Sequence, residues 1–169
     1  MKKGFTLIEL LIVIAVLGIL AAGVLATIDP FEQFKKARDS NARNSVVETY
    51  NAFVRFNANH GDWPWENAAS TANCAVMSGS MTTNPGQGCL TALVNDGELK
   101  AGFPGSVTSG VATSAYFNYL SSENNIAVCF LPQSKAVRSD ANSTYTQLGE
   151  AGPVECPSAT VQTCYWCAK

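Results

Sequence analysis

Apolar positions along this chain obey three different rules in succession. From Phe5 to Ile28 the sequence FTLIELLIVIAVLGILAAGVLATI is apolar at 19 of 24 positions, shows no periodic polar face and carries Glu9 as its single charge. As a helix rising 1.5 Å per residue it would measure about 36 Å, more than the roughly 30 Å of a bilayer's hydrocarbon core. It is a membrane-spanning candidate. After it, spacings of three and four take over. Phe31, Phe34, Val46, Val47, Tyr50, Phe53, Val54 and Asn57 mark one side, and Lys35, Lys36, Arg38, Asp39, Arg43, Glu48 and Arg55 the other positions, which predicts an amphipathic helix packing its stripe on a sheet. Asp29-Pro30-Phe31-Glu32 reads as its start, with Asp29 as N-cap, Pro30 at the first helical position and Glu32 closing a capping box. The residue before a proline avoids helical dihedrals, so a break is expected near Asp29. The helix should stop between Asn59 and Gly61, where Gly61 can turn left-handed. Lys35, Lys36 and Arg38 lie just past the span, within reach of lipid headgroups, and read first as a solvated face.

Beyond Gly61 neither period holds for long. Residues 62–88 are rich in Asn, Ser, Thr, Gly and Pro, with Trp63-Pro64-Trp65 at the entrance, and read as a long loop closed by Cys74 and Cys89. Cys89 to Gly97 predicts a short helix with Leu90, Leu93 and Val94 inward and Gly97 at its end. Ala115 to Leu120, Asn125 to Leu131 and Val161 to Ala168 read as strands bounded by turn residues.

Composition separates the pieces further. The chain has 169 residues, 47% of them apolar and 14% charged, which suits one globular domain rather than two. A formal net charge of -2 at pH 7 excludes a chain that binds nucleic acid through bulk electrostatics, since that needs surplus Lys and Arg. From Asp29 onward Leu, Ile, Val and Phe are only 25 of 141 residues, a thin aliphatic core. All six cysteines lie in that part. An even count behind an export-type N-terminus implies disulfides in an oxidising compartment. Pairing Cys74 with Cys89 is the local choice and leaves three connectivities. The favoured one joins Cys129 to Cys167, tying two strands together, and Cys156 to Cys164.

Candidate chemistry is sparse. Cys164-Tyr165-Trp166-Cys167 has redox CxxC spacing, but only Ala168 and Lys169 follow, so no helix dipole is expected to activate a thiolate. A zinc site from Cys129, Cys156, Cys164 and Cys167 is the lesser alternative to disulfides. His60 has no nucleophile in a recognisable motif around it and reads as a surface residue. Asn95-Asp96-Gly97-Glu98 lacks the alternating carboxylates of a calcium loop and reads as a turn. Asn142-Ser143-Thr144 fits a glycosylation acceptor or a polar turn. No paired carboxylates, phosphate loop or triad emerges; neither an enzyme nor a bound cofactor or metal is expected.

The N-terminus decides between a cleaved secretory signal and something else. Lys2 and Lys3, an apolar run and Val24-Leu25-Ala26 fit a signal, but the run exceeds the usual 7 to 15 residues and holds a carboxylate where membrane insertion is costly. Met1-Lys2-Lys3-Gly4 followed by Phe5-Thr6-Leu7-Ile8-Glu9-Leu10 resembles the class III signal of type IV pilins and of the pseudopilins of type II secretion and competence systems. The resemblance implies cleavage between Gly4 and Phe5 by a membrane aspartyl peptidase, methylation of Phe5, and an α+β fold in which a long N-terminal helix packs on a small antiparallel sheet. It implies segments 1–4 (leader), 5–28 (span and later filament core), 29–60 (amphipathic helix) and 61–169 (disulfide-stapled head). It also implies a homo-oligomeric helical filament, an assembly platform in the inner membrane, a single-pass membrane stage and an extracellular end state, with no direct nucleic-acid partner expected. A buried charge persists only if paired, so Glu9 would meet its own or a neighbour's N-terminal ammonium. Gly18, Ala22 and Ala26 recur every fourth residue, a small-residue stripe along which helices can approach closely. The rival within the family is a pseudopilin. The rival from another class is a membrane-anchored binding module using residues 62–88 and their two tryptophans as its ligand surface.

Overall fold

The computed structural model describes residues 4–27, 29–67, 73–110, 115–160 and 163–169, and only the backbone of 26, 27 and 108–110. The chain divides into two units, Met1–Gln33 and Phe34–Lys169.

In the first unit α1 (Leu7–Thr27) is one uninterrupted helix, and Leu7–Leu25 within it is long and apolar enough to cross a membrane. Helical geometry stops at Thr27 and resumes with α2 (Pro30–His60); Ile28 lies outside the described residues. The restart follows its sequence signal. Asp29 Oδ1 accepts the backbone N–H groups of Phe31 (3.1 Å) and Glu32 (3.3 Å), satisfying donors that a helix start leaves open.

In the second unit α2 runs on to His60, and Gly61 caps it at φ +78° with its N–H on the Asn57 carbonyl. The buried face of the helix coincides with the expected stripe only in part: Val46 and Phe53 are buried and Tyr50 packs on the core. Asp39, Ala42, Val46, Thr49, Ala52, Phe53 and Phe56 face inward, whereas Phe31, Phe34, Val47 and Val54 are exposed. Small residues share that inward face with Val46, Phe53 and Phe56. Thr49 enters the core because its hydroxyl bonds back to the Ser45 carbonyl at 2.8 Å.

That stripe meets a four-stranded antiparallel sheet, β1 (Ser78–Ser80), β2 (Ala115–Leu120), β3 (Asn125–Phe130) and β4 (Trp166–Ala168), in that order. The register sets two faces. Phe117, Val128, Phe130 and Trp166 look toward α2, while Tyr116, Cys129 and Cys167 stand in one row on the other side. Every β3 residue after Asn125 is buried, because residues 144–151 and Tyr165 cover the second face. Gly149, at φ +78°, lies so close there that a Cβ would collide with Ala127.

Four elements differ from expectation. The loop expected at 62–88 contains β1, whose Ser-Gly-Ser carries no alternating pattern to read. The C-terminal strand is only Trp166–Ala168: Tyr165 makes an isolated bridge to Tyr145, and residues 161 and 162 lie outside the described residues. Helices α4 (Phe103–Gly110) and α5 (Lys135–Arg138) were not expected, the first because Gly and Ser are poor helix formers, the second because it is a single turn capped by Ser134. Helix α3 (Gly86–Asn95) buries Leu90 and Leu93, half-buries Val94 and ends at Gly97 with φ +86°.

Candidate assembly site

The residues singled out at the N-terminus occupy a peptide with little around it. Gly4, Phe5 and Thr6 precede the first helical turn and are exposed, Phe5 by 80%. The Gly4–Phe5 bond therefore lies in non-helical backbone, open on all sides. Thr6 is the N-cap of α1 and Glu9 its third helical residue. Thr6 Oγ1 accepts from the Glu9 N–H (3.3 Å), and Glu9 Oε2 accepts from both the Thr6 N–H (2.9 Å) and the Thr6 hydroxyl (2.7 Å). This is a capping box, whose local signature is Thr6-x-x-Glu9. The second carboxylate oxygen, Oε1, has no hydrogen-bond partner among the described residues. Glu9 is thus held in one orientation with an acceptor to spare.

Along α1, thirteen large apolar side chains from Leu7 to Leu25 are exposed. Burying one such side chain contributes about 1.5–3 kcal/mol, so a surface of this size requires a lipid or protein covering. A Cβ at Gly18 would meet nothing within 4 Å, and Ala22 is exposed; the side chain of Ala26 lies outside the described residues.

In the second unit the six cysteines form Cys74–Cys89, Cys129–Cys167 and Cys156–Cys164. No thiol is left for the zinc alternative or for redox work. The Cys129–Cys167 bridge joins directly opposed residues of β3 and β4. Trp63 and Trp65, offered as a ligand surface, are at 4% and 9% exposure, stacked with centroids 5.4 Å apart and packed on Tyr119 and Phe53. They are core, and the binding-module reading loses its aromatic surface.

Two polar groups of α2 matter more than the sequence suggested. Asp39, placed on the polar side by spacing, is buried: it accepts the Gln133 N–H at 2.9 Å and the Ser134 N–H at 2.7 Å, with the Ser134 hydroxyl at 2.6 Å. Its spacing of three and four to Ala42, Val46 and Thr49 was the signal. Near the other end, Arg55 Nε donates to Glu98 at 2.7 Å and its Nη2 to the Glu98 carbonyl, while Asn59 holds the second Glu98 oxygen. The hydrogen bond to Glu98, followed by the pull of Glu48, raises the Arg55 pKa above its ordinary value. His60 Nε2 lies 2.9 Å from Asp96, so the Asp96–Glu98 turn is clasped to the end of α2.

The family described as the prokaryotic N-terminal methylation motif matches residues 1–25. The chain is 32% identical over 140 residues to the fimbrial protein EcpC of Eikenella corrodens, covering 79% of this chain and 90% of that protein. It is 33% identical over 112 residues to a type IV major pilin protein PilE of Neisseria gonorrhoeae (64% of this chain, 66% of that one) and 40% identical over 80 residues to a fimbrial protein of Neisseria meningitidis (47% and 46%). These relatives are named as fimbrial and pilin proteins, not as enzymes. No solved structure matches the chain.

Proposed function

Because this chain belongs to the type IV pilin family, we propose that it is the repeating subunit of an extracellular filament, built by packing α1 helices side by side after the leader is removed. A prepilin peptidase cuts between Gly4 and Phe5 and methylates the new N-terminus at Phe5. The exposed, non-helical backbone at that bond supports this reading, since a protease must draw the substrate chain into an extended form. Until assembly, Leu7–Leu25 spans the cytoplasmic membrane and the head waits outside it, to be drawn into the fibre by an inner-membrane platform.

The observation that carries the proposal is the exposed apolar surface of α1. Lipid covers it first and neighbouring helices cover it afterwards, with Gly18, Ala22 and Ala26 as the line of closest approach. Glu9 gives the exchange its register. Thr6 holds one carboxylate oxygen, the other faces outward, and the Phe5 ammonium of an adjoining subunit neutralises it. A subunit is in place when those charges meet, because an unpaired carboxylate in an apolar bundle is costly.

Mass measurement of the mature chain tests processing: a protein beginning at Phe5 supports the reading, and one beginning at Met1 or Thr27 overturns it. Electron microscopy tests the end state. Long surface fibres identify a pilin, whereas short periplasmic ones identify a pseudopilin. Adhesion, motility and DNA uptake are the uses open to such a fibre.

A further inference from the structure

Asp39 is the first residue of α2 that the head buries, and the turn before it is aromatic and basic. Positions three and four apart share a helix face. Phe34, Lys35 and Arg38 therefore continue, toward the helix start, the side that Asp39, Ala42 and Val46 bury farther on. Phe34 is 68% exposed, Lys36 and Arg38 are exposed and Lys35 is half-buried. A second element reaches the same level. The bonds from Ser134 to Asp39 bring the start of α5 to α2, and the next residue, Lys135, is exposed. Lys135 and Arg38 are the chain neighbours of that bonded pair, Ser134 and Asp39. Asp39 is engaged by Gln133 and Ser134, and Asp140 by Arg43 at 3.8 Å. Counting Asp29 and Glu32 against Lys35, Lys36, Arg38 and Lys135 leaves a surplus of two positive charges.

The geometry points to a membrane-docking ledge: Phe34, Lys35, Lys36, Arg38 and Lys135 seat on the anionic phospholipid headgroups of the leaflet on the head's side while the chain still spans the bilayer. The inference rests on reading Leu7–Leu25 as a span. Only eight residues lie between Leu25 and Phe34, at most about 32 Å of extended chain from one to the other, so the ledge cannot travel far from the headgroup layer. Aromatic rings favour that layer, and each basic side chain near an anionic surface strengthens binding about fivefold. The ledge would hold the head against the membrane before assembly, and extraction into the fibre would release it.

The test is hydrogen exchange on the full-length chain reconstituted in vesicles of phosphatidylcholine alone or phosphatidylcholine with phosphatidylglycerol. Amides of residues 34–40 should exchange several-fold more slowly with the anionic lipid. High salt should abolish the difference, as should the triple variant Lys36→Gln, Arg38→Gln, Lys135→Gln, whose protection around Phe53 and Phe117 reports that it is folded. Equal exchange in the two bilayers overturns the proposal. So does slowing that follows the protein-to-lipid ratio rather than lipid charge, which would assign the ledge to a second copy of the chain. Amides of residues 7–25 report separately on the span. Protection there in both bilayers, with no lipid effect at 34–40, removes the ledge alone; exposure there removes the span and the ledge with it.

Discussion

The carboxylate of Asp39 and the amide of Ser134, 95 residues apart in the chain, meet at 2.7 Å in the interior, and the Ser134 hydroxyl donates to the same oxygen. One acidic side chain on α2 thereby caps the turn that leads from β3 into α5. The site is built for an acceptor alone: among the described residues the partners of the two Asp39 oxygens are the Gln133 and Ser134 N–H groups and the Ser134 hydroxyl, all donors.

Asp39→Asn should therefore destabilise the head by about 1–3 kcal/mol, because an amide presents a donor where three are already converging. Urea unfolding of the disulfide-intact head in the full chain measures it. An unchanged midpoint would mean that the buried bonds contribute nothing net.

Glu9 and Thr6 should separate when tested. Glu9→Ala removes both the cap and the proposed intersubunit acceptor, so processing at Gly4–Phe5 continues while fibres are lost. Thr6→Val removes only the hydroxyl of the cap, a change worth about 0.5–2 kcal/mol to a helix start. Fibres should persist at reduced yield. Normal fibres from Glu9→Ala would remove the registering role.

Replacing Cys129 and Cys167 together by Ala should cost about 2–4 kcal/mol, the usual range for a bridge closing a loop of this size. The pair spans 38 residues and ties β4 to the sheet. Thermal unfolding compared with the Cys156/Cys164 double variant, whose bridge spans 8 residues, ranks the two; the 38-residue bridge should matter more.

Alkaline pH should loosen the second face of the sheet. Burial pushes the Tyr165 phenol above the ordinary tyrosine value, with Tyr116 adding to the shift. The folded head thus holds this proton more tightly than the unfolded chain does. The corresponding stability is fully present below the ordinary value of about 10 and is lost as pH rises through the higher folded one. Absorbance titration at alkaline pH should show one phenol ionising late, and Tyr165→Phe should remove that phase.

Trp65→Ala should cost about 3–5 kcal/mol, as expected for emptying a large aromatic site in a packed core. A surface ring would cost far less. The unfolding midpoint decides between them.

The long-range features were open to sequence reading where a local rule sufficed. The apolar run from Phe5 to Ile28, the Asp29-Pro30 restart, the Gly61 stop and the strands beginning at Ala115 and Asn125 each follow from chemistry among near neighbours, and the structure has them. Thr6-x-x-Glu9 was equally local and could have been read. The orientation of α2 was not. Periodicity says that one face is buried, but which residues complete it depends on the shape of what covers it, and the folded head buries Ala42, Thr49 and Ala52 while Val47 and Val54 stay exposed. The same holds for Asp39, which is acceptable inside only because Gln133 and Ser134 arrive from a distant loop with unpaired donors. Once Cys74 and Cys89 are paired, the sequence leaves three ways to join the other four cysteines; the register that sets Cys129 opposite Cys167 selects one of them. By itself, then, the sequence determined an apolar helix long enough to cross a membrane, the ends of α2 and the family, all of which rest on contiguous residues. Only the tertiary structure decided what α2 buries, that Trp63 and Trp65 are core, and that Ser134 meets Asp39, because those outcomes depend on groups that meet only after the chain has folded.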